Sequence, residues 1–267
     1  MSDQPRRRFR ALHESGTFVL PNAWDQGSAR LLAQLGFAAV ATTSSGFAAT
    51  LGRADQQVTR DELVAHVAAL TAAVSIPVAV DAERGYAPDP GGVAETVELL
   101  AQAGASGVSI EDYDPATDRI DPLEVAVERI AAAAAVCDRY GMVLTGRAEN
   151  HLYGVDDLDD TIARLTAYRN AGAGCLYAPG LVDLADITRV TAAVNAPLNV
   201  LALRDTPPVP ELAQAGVRRV STGGSLAWAA YGAMVDAARE LRDAGTSTYL
   251  DRALPSSLRD EAFGADG

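Results

Sequence analysis

Two carboxylates stand two residues apart in "PVAVDAERGY" (77–86), where Asp81 and Glu83 directly follow the apolar pair Val78 and Val80. Further acids follow in "GVSIED" (107–112), where Ser109 and Glu111 alternate with Ile110 and Asp112. "TGRAENH" (145–151) then adds Arg147 and Glu149. One acid behind an apolar run is as readily a helix cap or an ion-pair partner as a functional group. Several acids brought to one place repel each other and need a cation. An all-oxygen donor set selects a hard ion, Mg²⁺ first and Mn²⁺ second. Zinc is disfavoured, because His13, His66 and His151 are far apart and Cys137 and Cys175 form no CxxC pair.

These acids need elements that point them together. Eight apolar segments have strand character: 17–21, 38–43, 77–81, 107–111, 142–147, 175–179, 197–202 and 218–222. Helical patterns lie between them, such as Leu63, Val67, Leu70 and Val74 on one face. Thr59 with Glu62, and Asp121 with Glu124, read as capping boxes. Asp89-Pro90 and Asp121-Pro122 place an acid at the N-cap before a proline. Gly36, Gly104, Gly172 and Gly216 each follow a helix and precede a strand, where a left-handed residue ends a helix. No composition break divides the chain. The alternation predicts an α/β fold, a (β/α)₈ TIM barrel, as a single domain over 1–267 with a short N-terminal helix and a C-terminal tail. A doubly wound sheet is the runner-up, but no GxGxxG follows the first strand. Barrel chemistry sits at the C-terminal ends of the strands. That rule gathers Asp81, Glu83, Glu111, Arg147 and the Ser-Ser-Gly turn of "TTSSGF" (42–47) at one mouth.

A formal net charge of −13 argues against a nucleic-acid partner. No run is long enough for a membrane span or a signal peptide. With two cysteines and no disulfide framework, a cytoplasmic setting is the expectation. Arg6, Arg7, Arg8 and Arg10 read as a solvated helix face. Cys137 reads as packing within a helix.

"LPNAWDQGSARLLAQLGFAAVATTSSGFAATLGRAD", "DAERGY", "GVSIED" and "GRAENHLYG", in this order, resemble the isocitrate lyase/phosphoenolpyruvate mutase superfamily, and in particular its small bacterial members. The likeness spans roughly residues 8–245. It implies a Mg²⁺-dependent barrel acting on small 2-oxo or 2-hydroxy acids by making or breaking C–C or P–C bonds beside an enolate. Carried over by position, Ser45 and Gly46 bind the substrate carboxylate and oxyanion, and Arg147 binds the carboxylate. Asp81 lies nearest the metal, with Asp55, Glu83 and Glu111 around it. Glu83 stands where many relatives have Asp. Lyases of this family carry a "KCGH" gate with a catalytic cysteine, whereas here the segment is "EDYDPATDRIDP" (111–122).

The first expectation is therefore a carbon–carbon lyase or decarboxylase of an oxaloacetate-like acid, working through a pyruvate-type enolate. P–C bond chemistry and a non-catalytic ligand-binding barrel are the alternatives. His151, Tyr86, Tyr113 and water are candidate proton donors. Phe47, Tyr86, Tyr177 and Trp228 are candidates to shape the pocket. Residues 112–121 are expected to pack loosely, to supply no essential acid, and to repel tricarboxylates. Segment 225–245 is apolar over a wide face, and family resemblance adds the expectation of a homo-oligomer, tetramer or dimer.

Overall fold

The structure, a computed structural model, describes residues 3–264, so the outermost residues of the expected 1–267 domain lie outside the described ones. All eight expected strands form. The first is split by Pro21, which has no N–H to give to a ladder, into β1 (Phe18–Leu20) and β2 (Asn22–Ala23). The others in the wall are β3 (Val40–Thr42), β4 (Val78–Asp81), β5 (Gly107–Glu111), β8 (Val143–Arg147), β9 (Cys175–Tyr177), β10 (Leu198–Leu201) and β11 (Arg219–Ser221). Every pairing in this sheet is parallel, in the order β1-β11-β10-β9-β8-β5-β4-β3-β2. Its two ends are the two halves of one strand, so the sheet closes into an eight-staved barrel. Asn22 ties that seam. Its Oδ1 accepts from the N–H groups of Thr222 (3.0 Å) and Gly223 (2.9 Å), and its Nδ2 donates to the Thr42 carbonyl (2.5 Å).

Helices α2 (Gln26–Gln34), α4 (Arg60–Ala73), α5 (Pro90–Gln102), α6 (Leu123–Tyr140), α7 (Leu158–Asn170), α8 (Leu184–Val194), α9 (Val209–Gln214) and α10 (Ser225–Ala244) alternate with the strands. A short α3 (Ser44–Thr50) follows β3, α1 (Gln4–Leu12) precedes the barrel, and α11 (Ser256–Phe263) ends the tail. Local signals explain many boundaries. Thr59 and Glu62 form the expected capping box, and Asp89 caps α5 through the Gly92 N–H. Gly36, Gly104, Gly172 and Gly216 all take positive φ, between 85° and 107°. The main core lies between wall and helices, with Val80, Val97, Leu100, Ile110, Ile130 and Leu144 nearly solvent-free.

Two expectations are corrected here. Asp121 does not cap α6, which begins after Pro122 without a side-chain cap. It pairs instead with Arg84 (2.8 Å) and lies near Arg129 (3.7 Å). The basic N-terminal helix is not wholly a solvated face. Arg6 donates to the carbonyls of Ala105 (3.0 Å), Tyr140 (3.3 Å) and Ala101, and Arg10 to that of Gly141 (2.9 Å). The last carbonyls of α5 and α6 lack partners within their helices, and cations suit that end of the dipole.

Helix α1 floors the barrel. Phe9 is fully buried against Leu20, Ala39, Ala41, Ala79, Val143 and Cys175. His13, beside it, has its Nδ1 on the Phe9 carbonyl (2.8 Å) and its Nε2 facing the Arg219 guanidinium (3.2 Å). Burial, then the Arg219 charge, lowers the His13 pKa to about 3. The unfolded chain therefore takes up this proton at a higher pH than the folded chain. The contribution of His13 to stability is intact above pH ~6.5 and is lost as pH falls from there toward 3. Denaturant unfolding from pH 7.5 to 4 should show His13→Gln losing less stability on acidification than wild type; parallel profiles would contradict the assignment.

Candidate active site

The register of β5 against β8 sets Glu111 beside Arg147, and that of β8 against β9 sets Tyr177 on its other side. Asp81, at the end of β4, lies opposite Ser109 of β5. Three carboxylates meet the one guanidinium. Arg147 Nη1 lies 3.3 Å from Asp81 and 3.2 Å from Glu111, while Nε and Nη2 fork onto Glu149. Its guanidinium also sits 5.3 Å from the centre of the Tyr177 ring. Burial opposes the Arg147 charge, but Glu149, Glu111 and Asp81 outweigh it and hold the group well above its ordinary pKa.

The acids outnumber the arginine. Burial, reinforced by Asp81, raises the Asp55 carboxyl and pushes Glu83 up to about 8. Burial raises Glu111 well above its usual range despite Arg147, and lifts Glu149 to about 6. Asp81 Oδ2 accepts from the Ser44 N–H (3.2 Å), and Glu111 Oε1 accepts from Gln56 Nε2 (3.0 Å). Glu83 Oε1 is buried without a hydrogen-bond partner. A cavity of about 200 Å³ opens at the C-terminal ends of the strands, lined at its mouth by Ser44, Ser45, Asp55, Asp81, Arg147 and Gly224, while Glu83, Glu111 and Glu149 stand behind that lining.

Not every sequence candidate reaches that cavity. Glu83 does not share the Asp81 face through strand alternation, because β4 ends at Asp81 and Glu83 turns left-handed (φ 46°). Its carboxylate is nonetheless buried beside Asp81 and Tyr86. Ser45 lines the mouth, but Gly46 is buried and donates its N–H to the Thr43 cap of α3 (3.3 Å). A Cβ there would stand 2.5 Å from Thr43 Cγ2 and 3.0 Å from Trp24 Cβ, so glycine meets a packing need. Phe47 lies outside the lining, stacked on His66 at 3.8 Å. His151 also lies outside it, with Nε2 on Thr161 (2.8 Å) and Nδ1 near Asp156 (3.1 Å). Gln56 and Asn199 carry no catalytic motif and emerge only from their contacts, whereas Glu149, two residues past Arg147, already stood among the strand-end acids of the sequence.

The segment 112–121 is not loosely packed, as the sequence suggested. It is a hairpin, β6 (Tyr113–Asp114) against β7 (Arg119–Ile120), pinned at both ends. Asp112 is buried and accepts from Tyr168 (2.5 Å), Arg164 (3.2 Å) and the Glu149 N–H (2.8 Å). Asp121 is held by Arg84 through two 2.8 Å bonds. Tyr113 stacks on Tyr153 at 3.7 Å. The pinning groups come from α7 and from the segments after β4 and β8, so local composition could not reveal them.

This is a (β/α)₈ barrel whose mouth holds an arginine among surplus acids. Residues 9–242 match the phosphoenolpyruvate phosphomutase family, and the chain belongs to the phosphoenolpyruvate mutase/isocitrate lyase superfamily. It is 31% identical to oxaloacetate decarboxylase of Bradyrhizobium sp. (strain ORS 278) over 263 residues, 94% of this chain and 90% of that one. It is 34% identical over 255 residues to an uncharacterised protein of Mycobacterium tuberculosis (strain ATCC 25618 / H37Rv), covering 92% of each. A crystal structure from Burkholderia cenocepacia J2315, described as that of a lyase/mutase, matches with a TM-score of 0.94 at 48% identity, over 99% of this chain and 97% of that one. The family is enzymatic, and its members include carbon–carbon lyases. Among the described residues, no helix is long and apolar enough to cross a membrane.

The hairpin anchor is testable. Breaking a buried ion pair by removing one partner costs roughly 3–5 kcal/mol, against about 0–1 for a surface pair. Asp121→Ala should fall in the first range by urea unfolding; a loss under about 1 kcal/mol would show that the Arg84 and Arg129 contacts do not anchor the hairpin.

Proposed function

We propose that this enzyme is a Mg²⁺-dependent decarboxylase or related carbon–carbon lyase of a small, oxaloacetate-like 2-oxo acid. The observation that carries the reading is the Asp81–Arg147 pair at the mouth of a small cavity that no thiol reaches. Cys137 is buried in α6 and Cys175 at the start of β9 against Phe9, and burial raises both thiols. Cleaving a 2-hydroxy acid requires a base to take its hydroxyl proton. Losing a carboxylate that is β to a 2-oxo group, as in oxaloacetate, requires only that the oxo group take the electron pair as an enolate. The similarity to oxaloacetate decarboxylase along 94% of the chain supports the same choice.

The donor chemistry fits a hydrated divalent cation. Among the described residues no three ligating groups are set to bind a metal directly. Mg²⁺, however, usually keeps several waters and takes only one or two carboxylates. Asp81 would be its direct ligand, with Asp55, Glu83 and Glu111 reached through water, and the unpartnered Glu83 Oε1 is free for such a contact. When bound, the cation supplies Lewis acidity at the 2-oxo end of the substrate.

Arg147 binds the substrate carboxylate by exchanging one of its acid partners, and its planar fork fixes the orientation. Ser45 donates from the mouth. The C–C bond to the departing carboxylate breaks, CO₂ leaves, and the electron pair remains as the pyruvate enolate. The proton that completes pyruvate comes from water, since His151 lies outside the lining with its Nε2 on Thr161 (2.8 Å) and Tyr113 donates to Asp118 (2.7 Å). Phosphonate chemistry is less well served, because Arg147 and Arg219 are the only cationic side chains of the lining.

Three outcomes follow. The wild type with MgCl₂ should release CO₂ from oxaloacetate, and Arg147→Lys should lose at least a hundredfold in kcat/KM; an unchanged value would remove Arg147 from substrate binding. Asp81→Ala should abolish Mg²⁺ binding by calorimetry while keeping the fold, and wild-type affinity would end the metal assignment. For assembly, α10 exposes Trp228, Met234 and Leu241, each more than half accessible, on a face that suits a second copy. Light scattering should give a dimer or tetramer at micromolar concentration, and a monomer would refute it.

A further inference from the structure

Arg219, at the start of β11, is buried, yet none of its partners is an acid. Its Nε donates to Asn199 Oδ1 (2.9 Å), Nη2 to Thr145 Oγ1 (3.0 Å) and Nη1 to His13 Nε2 (3.2 Å). A guanidinium carries five N–H groups, so these three bonds leave one on each terminal nitrogen. His13 can accept here only while neutral, and its depressed pKa agrees with that state. A buried cation among neutral dipoles is expensive unless an anion joins it. Among the described residues, the salt bridges that close around Arg147 have no counterpart at Arg219.

Arg219 also lines the same cavity as Asp81 and Arg147, from below. Barrel interiors are normally filled by bulky branched side chains. Here Ala41, Ala79, Ser109 and Ser221 line the cavity between mouth and floor, and these small residues leave the axis open. The sheet register links the two arginines in one diagonal: Arg219 opposite Asn199, Asn199 opposite Tyr177, Tyr177 opposite Arg147. Because barrel strands tilt, that line climbs from floor to mouth.

We propose that Arg219, oriented by Asn199 and Thr145, is a second anion subsite on the barrel axis that takes the distal carboxylate of a dicarboxylic acid whose 2-oxo or 2-hydroxy end is held at the mouth. This deepens the reading above and rests on it: it makes the substrate a dicarboxylate bound along the axis, discriminated from monocarboxylates by a buried charge. Because a carboxylate paired with a buried cation resists loss as CO₂, it favours the carbon–carbon lyase branch of that reading, in which the distal carboxylate is retained. The carboxylate meets the two remaining N–H groups of the fork, and its own charge offsets the burial of Arg219.

Malate and lactate share a 2-hydroxy acid head and differ by one carboxylate. Calorimetry in MgCl₂ should show the wild type binding malate at least tenfold more tightly than lactate. Arg219→Met should bind lactate as the wild type does and malate no better than lactate. Ala79→Val narrows the axis without touching Arg219, and should likewise abolish the preference; it serves where the methionine variant fails to fold. Wild type that binds lactate and malate equally would overturn the axial subsite while leaving the mouth intact. Retention of the tenfold preference in either variant would do the same. If neither acid binds the wild type, the reading of the mouth itself falls, and the subsite with it.

Discussion

One partly buried guanidinium organises the upper half of this barrel. Arg147 is held by Asp81, Glu111 and Glu149, which come from three neighbouring staves. None of these acids could be buried alone, because an unpaired charge in a low-dielectric site would neutralise or unfold its surroundings. The β5–β8 ladder has five registered pairs, the most of any in the wall, and its last pair is Glu111 with Arg147. A slip of one residue in either strand would turn its own side chain to the outer face and part the pair. The long ladder is therefore what fixes the electrostatics. Asp112, the residue after β5, extends the same logic outward by holding the Glu149 N–H, Tyr168 and Arg164.

The sequence displayed what local chemistry dictates. Strand positions, the glycine helix ends and the Thr59 and Asp89 caps depend on residues within a few positions of each other, and they appear where the pattern put them. The grouping of Asp81, Glu111 and Arg147 was legible because parallel strands place their C-terminal ends on one rim. What was hidden depends on distant partners. Asp121 looks like a cap until Arg84 and Arg129 arrive from other elements. Arg6 looks solvated until the ends of α5 and α6 present their carbonyls. Glu83 fails the alternation rule because the strand has already ended, and backbone strain of that kind gathers at functional sites. Asn199 and Arg219 read as ordinary strand residues, and only the closed ring turns both inward onto one cavity.

The barrel interior thus departs from the usual packed column. Phe9 seals the floor, where Gly107 is needed because a Cβ would stand 2.6 Å from the Phe9 ring and 2.8 Å from the Val143 carbonyl. Above it, a polar layer of Arg219, Asn199, Thr145 and Ser221 replaces branched aliphatic side chains. Such a layer forgoes apolar packing and stations charge where water is scarce. The hydrogen bonds from Arg219 to Asn199 and Thr145 fix its orientation and leave one N–H on each terminal nitrogen facing the cavity. The surplus of acid at the mouth and the lone cation beneath it oppose each other along the axis, so a ligand that is cationic at one end of its binding site and anionic at the other satisfies both. A small dianion beside a divalent cation has that distribution of charge, which ties the unpaired Arg219 and the crowded acids around Arg147 to a single occupant.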